Sequence, residues 1–447
     1  MRRLVALVAV VGLGTGACLS TPGPAGDDDG RDDAAVTDGD LATDAGVDGS
    51  GQPSCRPAGA LPAGTAWPPP GINVRQLQIA DLDVDGVNDL VVTVAPGVAR
   101  GAGPSKVYVL YGPVDRMAPK YHASIDVGTL GAVIPWATTL ARVDAGPCLD
   151  LIVAGPPVMG SNTSFAAVWA HGGGVSPWSG PPARSALTRE PPPGPLMAVL
   201  ADLTIDTDLD LAVADLDSVD VFVGARVDAL PGALNVPRPI CNMWGNINAL
   251  VRQPAAGGRE RLLAFGHYRY NTIAIDDLGT IQVSDNCASS SAPITRGSAA
   301  IDLDGQAPLD LFSGGGGIIG AHLLAGVADP VTPVQGAMAC TDTPRGSDAY
   351  IEGFAAGHLG GFPTPEVVII DHDDQDGMSY ACLLDAVDAN GTRVLATAVN
   401  ELPLGPGTAR SVVVGDVDGK VRAWILMNDG VARCLERGAA ANLQACE

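Results

Sequence analysis

LQIADLDVDGVNDLVVTV, residues 77–94, reads as a short apolar strand, an aspartate-rich turn and a second strand of β-branched residues. Within the turn Asp81, Asp83 and Asp85 alternate, Gly86 follows, and Asp89 stands just before the second apolar run. Alternate carboxylates on a tight loop converge on one centre, and Gly86 supplies the positive φ that curls the chain back. The backbone carbonyl of Val87 and the carboxylate of Asp89 complete a set of hard oxygen donors suited to Ca2+. An EF-hand would place a Glu at the twelfth position, with a helix after it. Here that position is Val92, inside LVVTV, so the loop joins two strands.

The same kernel recurs along the chain. Further copies read TLARVDAGPCLDLIVAG (139–155), AVLADLTIDTDLDLAVAD (198–215), AAIDLDGQAPLDLFSGG (299–315), GFAAGHLGGFPTPEVVIID (353–371) and SVVVGDVDGKVRAWILM (411–427). The acid before the second strand falls at 89, 150, 210, 310 and 366, in steps of 61, 60, 100 and 56. The step of 100 is nearly double the others and predicts a decayed copy in NINALVRQPAAGGRERLLAFG (246–266), making seven. Repeats of this period signal propellers or solenoids, in which no unit buries its faces alone. Two more strands per unit are visible as hairpins, NTIAIDD with TIQVSDN in the fourth and MSYACLLDAV with TRVLATAV in the sixth. The expected fold is therefore all-β, a seven-bladed propeller of four-stranded antiparallel blades.

The DxDxDGxxD loop followed by Leu and β-branched residues resembles the FG-GAP (VCBS) repeat of integrin α-chain propellers, over roughly Arg75 to Glu436. The resemblance implies seven blades, calcium in some loops, and adhesion or ligand binding at exposed loops. The third loop offers Asp202, Thr204, Asp206, Asp208 and Asp210, with Thr207 in the glycine position. The fifth offers Asp302, Asp304, Gln306 and Asp310, with Gly305 one place early. Both are candidate calcium loops beside the first. The second keeps only Asp144 and Asp150, and the sixth only Glu366 in register. The seventh has Asp416 and Asp418 but Trp424 where its closing acid belongs. These three read as turns in which aspartate bonds its own backbone. DHDDQDG (371–377) falls between two strands of its unit and reads as a hairpin turn.

The N-terminus reads as a targeting segment, with Arg2 and Arg3 before an apolar run from Leu4 to Leu13 that is too short to span a bilayer. Thr15-Gly16-Ala17 then precedes Cys18, which resembles a bacterial lipobox with Cys18 lipidated. This divides the chain into a signal peptide (1–17), a lipidated Cys18 with an acidic linker (18–54), and the propeller (55–447). The linker carries nine aspartates against one arginine and has almost nothing to bury. The protein is thus expected at the outer membrane or cell surface, the alternative being secretion or a periplasmic location.

Eight further cysteines, Cys55, Cys148, Cys241, Cys287, Cys340, Cys382, Cys434 and Cys446, are an even number in an exported chain and predict disulfides. The net charge of −24 excludes a nucleic-acid partner. The sequence contains neither HExxH nor GxSxG, and the repeats use nearly the whole chain. The expected function is a non-enzymatic, calcium-binding adhesion or binding module for a protein or glycan ligand. Its only membrane contact is the N-terminal lipid. A hydrolase or lyase using the central channel, or a purely structural envelope protein, is the alternative.

Overall fold

The computed structural model describes residues 55–446 apart from a number of segments, of which 325–348 and 236–246 are the longest. The signal segment, Cys18, the acidic linker, Cys241, Cys287 and Cys340 lie outside the described residues.

Each kernel forms the first antiparallel hairpin of a sheet. Seven inner strands, Val74–Ala80, Ala137–Ala141, Met197–Ala201, Ile247–Pro254, Thr295–Ile301, Ala349–Gly357 and Ala409–Asp416, each pair with the strand that follows. Each also touches the next inner strand, and the last touches the first, which closes the ring. Five sheets have four strands in sequence order. The fifth sheet shows three among the described residues, and the sixth gains Glu401–Pro406, which pairs with the first half of Met378–Ala389. The decayed fourth copy folds as expected, Ile247–Pro254 pairing with Glu260–Gly266. Both hairpins of the fourth and sixth units are also present.

The second strands explain why the blades need one another. Asp89–Val94 and Asp150–Gly155 are buried at every position. Side chains alternate between the two faces of a strand. Leu90, Val92 and Val94 accordingly join Val413, Trp424 and Leu426 of the seventh blade in one core. Val91 points the other way, into a core with Leu151, Val153 and Trp169 of the second blade. A sheet clothed on both faces reads as a continuous apolar run, which is how LVVTV and LIVAG look in sequence. With few aromatics available, Val, Ile, Leu and Ala fill these layers.

The seam between the last blade and the first is held by a strap. Cys55 is bridged to Cys148 in the second blade, with a Cα–Cα distance of 5.5 Å. Thr65–Ala66 then pairs with Lys120–Tyr121 of the first blade. Trp67 is buried in the core shared by the first and seventh blades, and its indole N–H donates to the Gly430 carbonyl at 2.9 Å. Gly430, at φ +85°, admits Ile72 and Pro68 where a side chain would collide. Leu77 N–H donates to Ser411 Oγ at 3.0 Å and Val114 N–H to the Val417 carbonyl at 2.7 Å across the same seam. A second disulfide, Cys434–Cys446, staples the outer hairpin of the seventh blade, and Cys382 is also disulfide-bonded.

Trp67→Ala removes an indole from the seam core and a hydrogen bond 363 residues away in sequence. It is expected to cost about 3–5 kcal/mol, as large aromatic truncations do. Urea unfolding measures this, and an unchanged midpoint would show that the strap does not hold the seam.

Candidate metal centre

The acid that marks each repeat occupies the same register everywhere it occurs. Ala80 pairs with Asp89, Ala141 with Asp150, Ala201 with Asp210, Pro254 with Glu260, Ile301 with Asp310 and Gly357 with Glu366. Each acid is the first residue of its second strand, facing the last residue of the inner strand. Glu260 is the marker missing from the decayed copy, halfway along the step of 100. In the seventh blade Val421, not Trp424, holds this register, opposite Asp416. The connecting turn there, residues 417–420, is shorter than the others, so counting along the sequence overshot the position.

These acids tie loops together. Asp89 Oδ2 accepts from Leu82 N–H at 2.8 Å and Oδ1 from Gly112 N–H at 2.8 Å. Asp150 accepts from Val143 and His171 N–H, both at 2.9 Å. Asp210 accepts from Leu203 at 2.9 Å, Thr204 at 3.1 Å and Gly224 at 2.9 Å. Glu366 Oε2 accepts from Leu359 N–H at 2.8 Å, and its other oxygen pairs with Arg437 of the seventh blade. In all four the first donor lies seven residues upstream, in the loop that leads into the strand. The Asp residues send their second oxygen past the end of the third strand. Glu260 follows a loop too short for this tie. Its Oε2 instead accepts from Asp202 N–H of the third blade at 2.9 Å.

The first loop adds a second layer. Asp81, Asp83 and Asp89 each bring a carboxylate oxygen within 4.8 Å of the others, the only such group of three among the described residues. Asp83 is 4% exposed and Asp89 1%. The loop is shaped by its own side chains: Asp81 accepts from Asp85 N–H at 3.1 Å and Gly86 N–H at 2.9 Å, and Asp85 from Val87 N–H at 2.8 Å. Gly86 has φ +86°, the positive value the turn requires, and Val84 sits at φ +59°. Asp85 is exposed and stands outside the group of three.

Three carboxylates within 4.8 Å suit one ion with oxygen ligands at about 2.3–2.6 Å, because two opposed ligands then stand about 5 Å apart. Each oxygen that accepts one N–H keeps a second lone pair for such an ion. The donor set therefore fits calcium, which Asp81, Asp83 and Asp89 would hold. Burial pushes the Asp89 carboxyl up from 3.8 to about 8, the two backbone N–H groups opposing and the charges of Asp83 and Asp81 adding to the rise.

The other candidate loops are placed less completely. In the third, Asp210 is buried, Asp202 and Thr204 are half-buried and Asp208 is exposed, while Asp206 lies outside the described residues. In the fifth, Asp310 opens the strand Asp310–Gly315, and Asp302, Asp304 and Gln306 lie outside the described residues. The seventh loop is a turn: Asp416 Oδ1 accepts from Gly419 N–H at 2.6 Å, and Asp418 pairs with Arg422 and Arg116. DHDDQDG ends in a hairpin turn, with Gly377 at φ +69°.

A carboxyl with a raised folded-state value binds its proton more tightly when folded, so stability falls as pH rises between the two values. In chelator, wild-type stability is expected to decline from about pH 4 to about pH 8, and Asp89→Asn to flatten this slope. Denaturant midpoints across that range check it, and an equal slope in the variant would acquit Asp89.

The sequence matches no protein-family model and no curated protein. Solved structures do resemble it in fold. BBS1N, crystallised in complex with ARL6DN, matches with a TM-score of 0.50 at 12% identity, over 86% of this chain and 96% of that one. A lectin from Agrocybe aegerita, described as recognising non-reducing terminal N-acetylglucosamine, has a TM-score of 0.43 at 16% identity, over 80% and 87%. The Dos1 propeller has a TM-score of 0.43 at 10% identity, over 83% and 78%. With its ring of seven antiparallel sheets closed from last inner strand to first, the chain is a seven-bladed β-propeller.

Proposed function

We propose that this chain is an FG-GAP (VCBS)-type, calcium-binding propeller that is exported, held at a membrane by a lipid on Cys18, and acts as a non-enzymatic binding module for a protein or glycan. One observation carries the calcium reading: among the described residues, the loop with the full DxDxDGxxD pattern is the one whose carboxylates gather within 4.8 Å. Buried carboxylates without a cation repel one another, and a bound divalent ion removes that cost. Calcium would supply fixed positive charge at the end of the first inner strand, next to the ring seam. Asp83 is buried and brings its carboxylate into that group, where an ion would share its charge. The binding role is supported by an architecture whose repeats use nearly all of the chain beyond the linker. At the N-terminus, the support is the charged and apolar run ending at Cys18.

Bound calcium stabilises the folded state by mass action, about 2.7 kcal/mol at a hundredfold excess over its dissociation constant. Chelation is expected to lower the melting temperature of wild type. Asp83→Ala should lose most of that response. Asp150→Asn, which damages the same structural tie in a blade without the acidic group, should melt lower yet keep it. Thermal melts with calcium and with chelator separate these outcomes, and a full calcium shift in Asp83→Ala would refute the site.

The anchor is tested separately. Wild type should partition into detergent and Cys18→Ser into the aqueous phase, since multiple acyl chains hold a protein firmly where one does so marginally. Mass spectrometry showing an unmodified mature N-terminus would end the lipoprotein reading.

A further inference from the structure

Two arginines meet at the opposite end of the ring from the acidic loop. Five of the seven inner strands carry a β-bulge near their start, where one residue is left over from the pairing. The leftover residues are Arg75, Asn248, Arg296, Glu352 and Arg410, so three of the five are arginine in a chain with 26 basic residues against 50 acidic ones. Bulges re-aim side chains and gather beside binding sites.

Arg75 and Arg410 stand on neighbouring blades, the first and the seventh, and in matching register. Leu77 N–H donates to Ser411 Oγ at 3.0 Å, which fixes the two strand starts side by side. Among the described residues neither guanidinium has a carboxylate partner. Both side chains are half-buried, and the Nε of each is shielded from solvent with no hydrogen-bond acceptor. Arg75 spends one Nη2 donor on the Pro96 carbonyl at 3.1 Å. Burial, then the Arg410 charge, hold the Arg75 guanidinium below its ordinary value. Like charges brought together with donors unused are an unfavourable arrangement unless something anionic shares them. Six residues of strand separate Arg75 from Asp81, about 20 Å at strand rise, so the calcium loop does not fill that role.

We propose that Arg75 and Arg410 form an oxyanion site at this mouth of the ring, which takes a carboxylate or phosphate group of the ligand. Guanidinium forks match both groups by paired N–H donors, and two forks on adjacent strands fix the anion from two sides. The site is independent of calcium and of the lipid anchor.

The test is calorimetric titration of the calcium-loaded, full-length protein at constant ionic strength with inorganic phosphate, with galacturonate, and with galactose as the neutral match to the latter. Wild type should bind at least one of the two anions and bind galactose at least tenfold more weakly than galacturonate where galacturonate binds. Arg75→Gln and Arg410→Gln should each weaken anion binding by about tenfold or more, equivalent to about 1.4 kcal/mol. Arg433→Gln, which removes the same charge from an exposed position on the seventh blade, should leave it unchanged. Melting temperatures of the two site variants without ligand should not fall, because an uncompensated charge is removed. If one variant fails to fold, the other and Arg410→Lys carry the measurement, the lysine weakening binding through loss of the fork. Binding of phosphate alone assigns a phosphorylated ligand, and of galacturonate alone an acidic glycan. No anion binding by wild type, binding that survives both glutamine variants, or galactose binding equal to galacturonate overturns the site.

Discussion

The first and second blades are buried on both faces, and that requirement governs the rest of the molecule. A second strand such as Asp89–Val94 has no solvent side, so it is stable only between two neighbours. A linear array would leave its end blades with one apolar face bare. The chain meets the constraint by bringing the seventh sheet against the first, where Leu90, Val92 and Leu110 lie with Val413, Trp424 and Leu426. Among the described residues no strand is exchanged across that seam. The last sheet is built wholly from residues 409–445 and the first from 74–126. Closure rests on side-chain packing, on a few backbone bonds, and on the strap that runs from Cys55 over the first blade to Trp67.

Against that background, the acid at the head of each second strand has a structural role that precedes any metal. A carboxylate is a short side chain whose two oxygens accept from backbone donors on different loops at once. It satisfies amides at a crowded corner where the inner strand turns back, and buried amides left unpaired would each cost about 1–3 kcal/mol. Blades 1, 2 and 3 solve the corner alike, with Asp89, Asp150 and Asp210. Blade 6 uses the longer Glu366 and turns its second oxygen to Arg437 of the next blade. The proposed metal site is an elaboration of this corner: Asp81 and Asp83 are added to an acid already fixed by the fold.

This overlap explains what could be read from the sequence. The period of the acids, the apolar runs after them and the hairpin turns revealed seven units and their inner pairs. The first loop was legible as a gathering of oxygens from its run of aspartates, although Asp85 stands outside the group that Asp81, Asp83 and Asp89 form. The hydrogen-bonding role of Asp210 was hidden behind a ligand reading, since a ligand and a backbone acceptor have the same residue type at the same place. Asp150 and Glu366 were legible as acids of backbone-bonded turns, but their bonds to a second strand end or blade were not. Glu260 escaped notice because its loop is shorter and its acid longer, which moved the bond from its own blade to Asp202 of the third. Val421 was misplaced for a related reason, a shortened turn that shifts the count. The strap could not be foreseen: the partners of Trp67 lie at the far end of the chain, and nothing local marks them.

The two ends of the inner strands differ in charge because they answer different demands. At the end where the strand turns back, backbone N–H groups crowd together and call for acceptors, so acids accumulate there whether or not an ion follows. At the start of the strand no such demand exists, because the bulge leaves one residue out of the ladder and frees its side chain from cross-strand packing. Residue choice at Arg75 and Arg410 is therefore not dictated by the fold. An acidic chain offers many carboxylates with which arginines could pair, as Arg422 and Arg437 do. Arginines that have no such partner among the described residues while sitting half-buried beside each other carry an unfavourable energy that the ring itself does not require. Such a cost, placed where the fold leaves the residue free to vary, points to a ligand and not to stability.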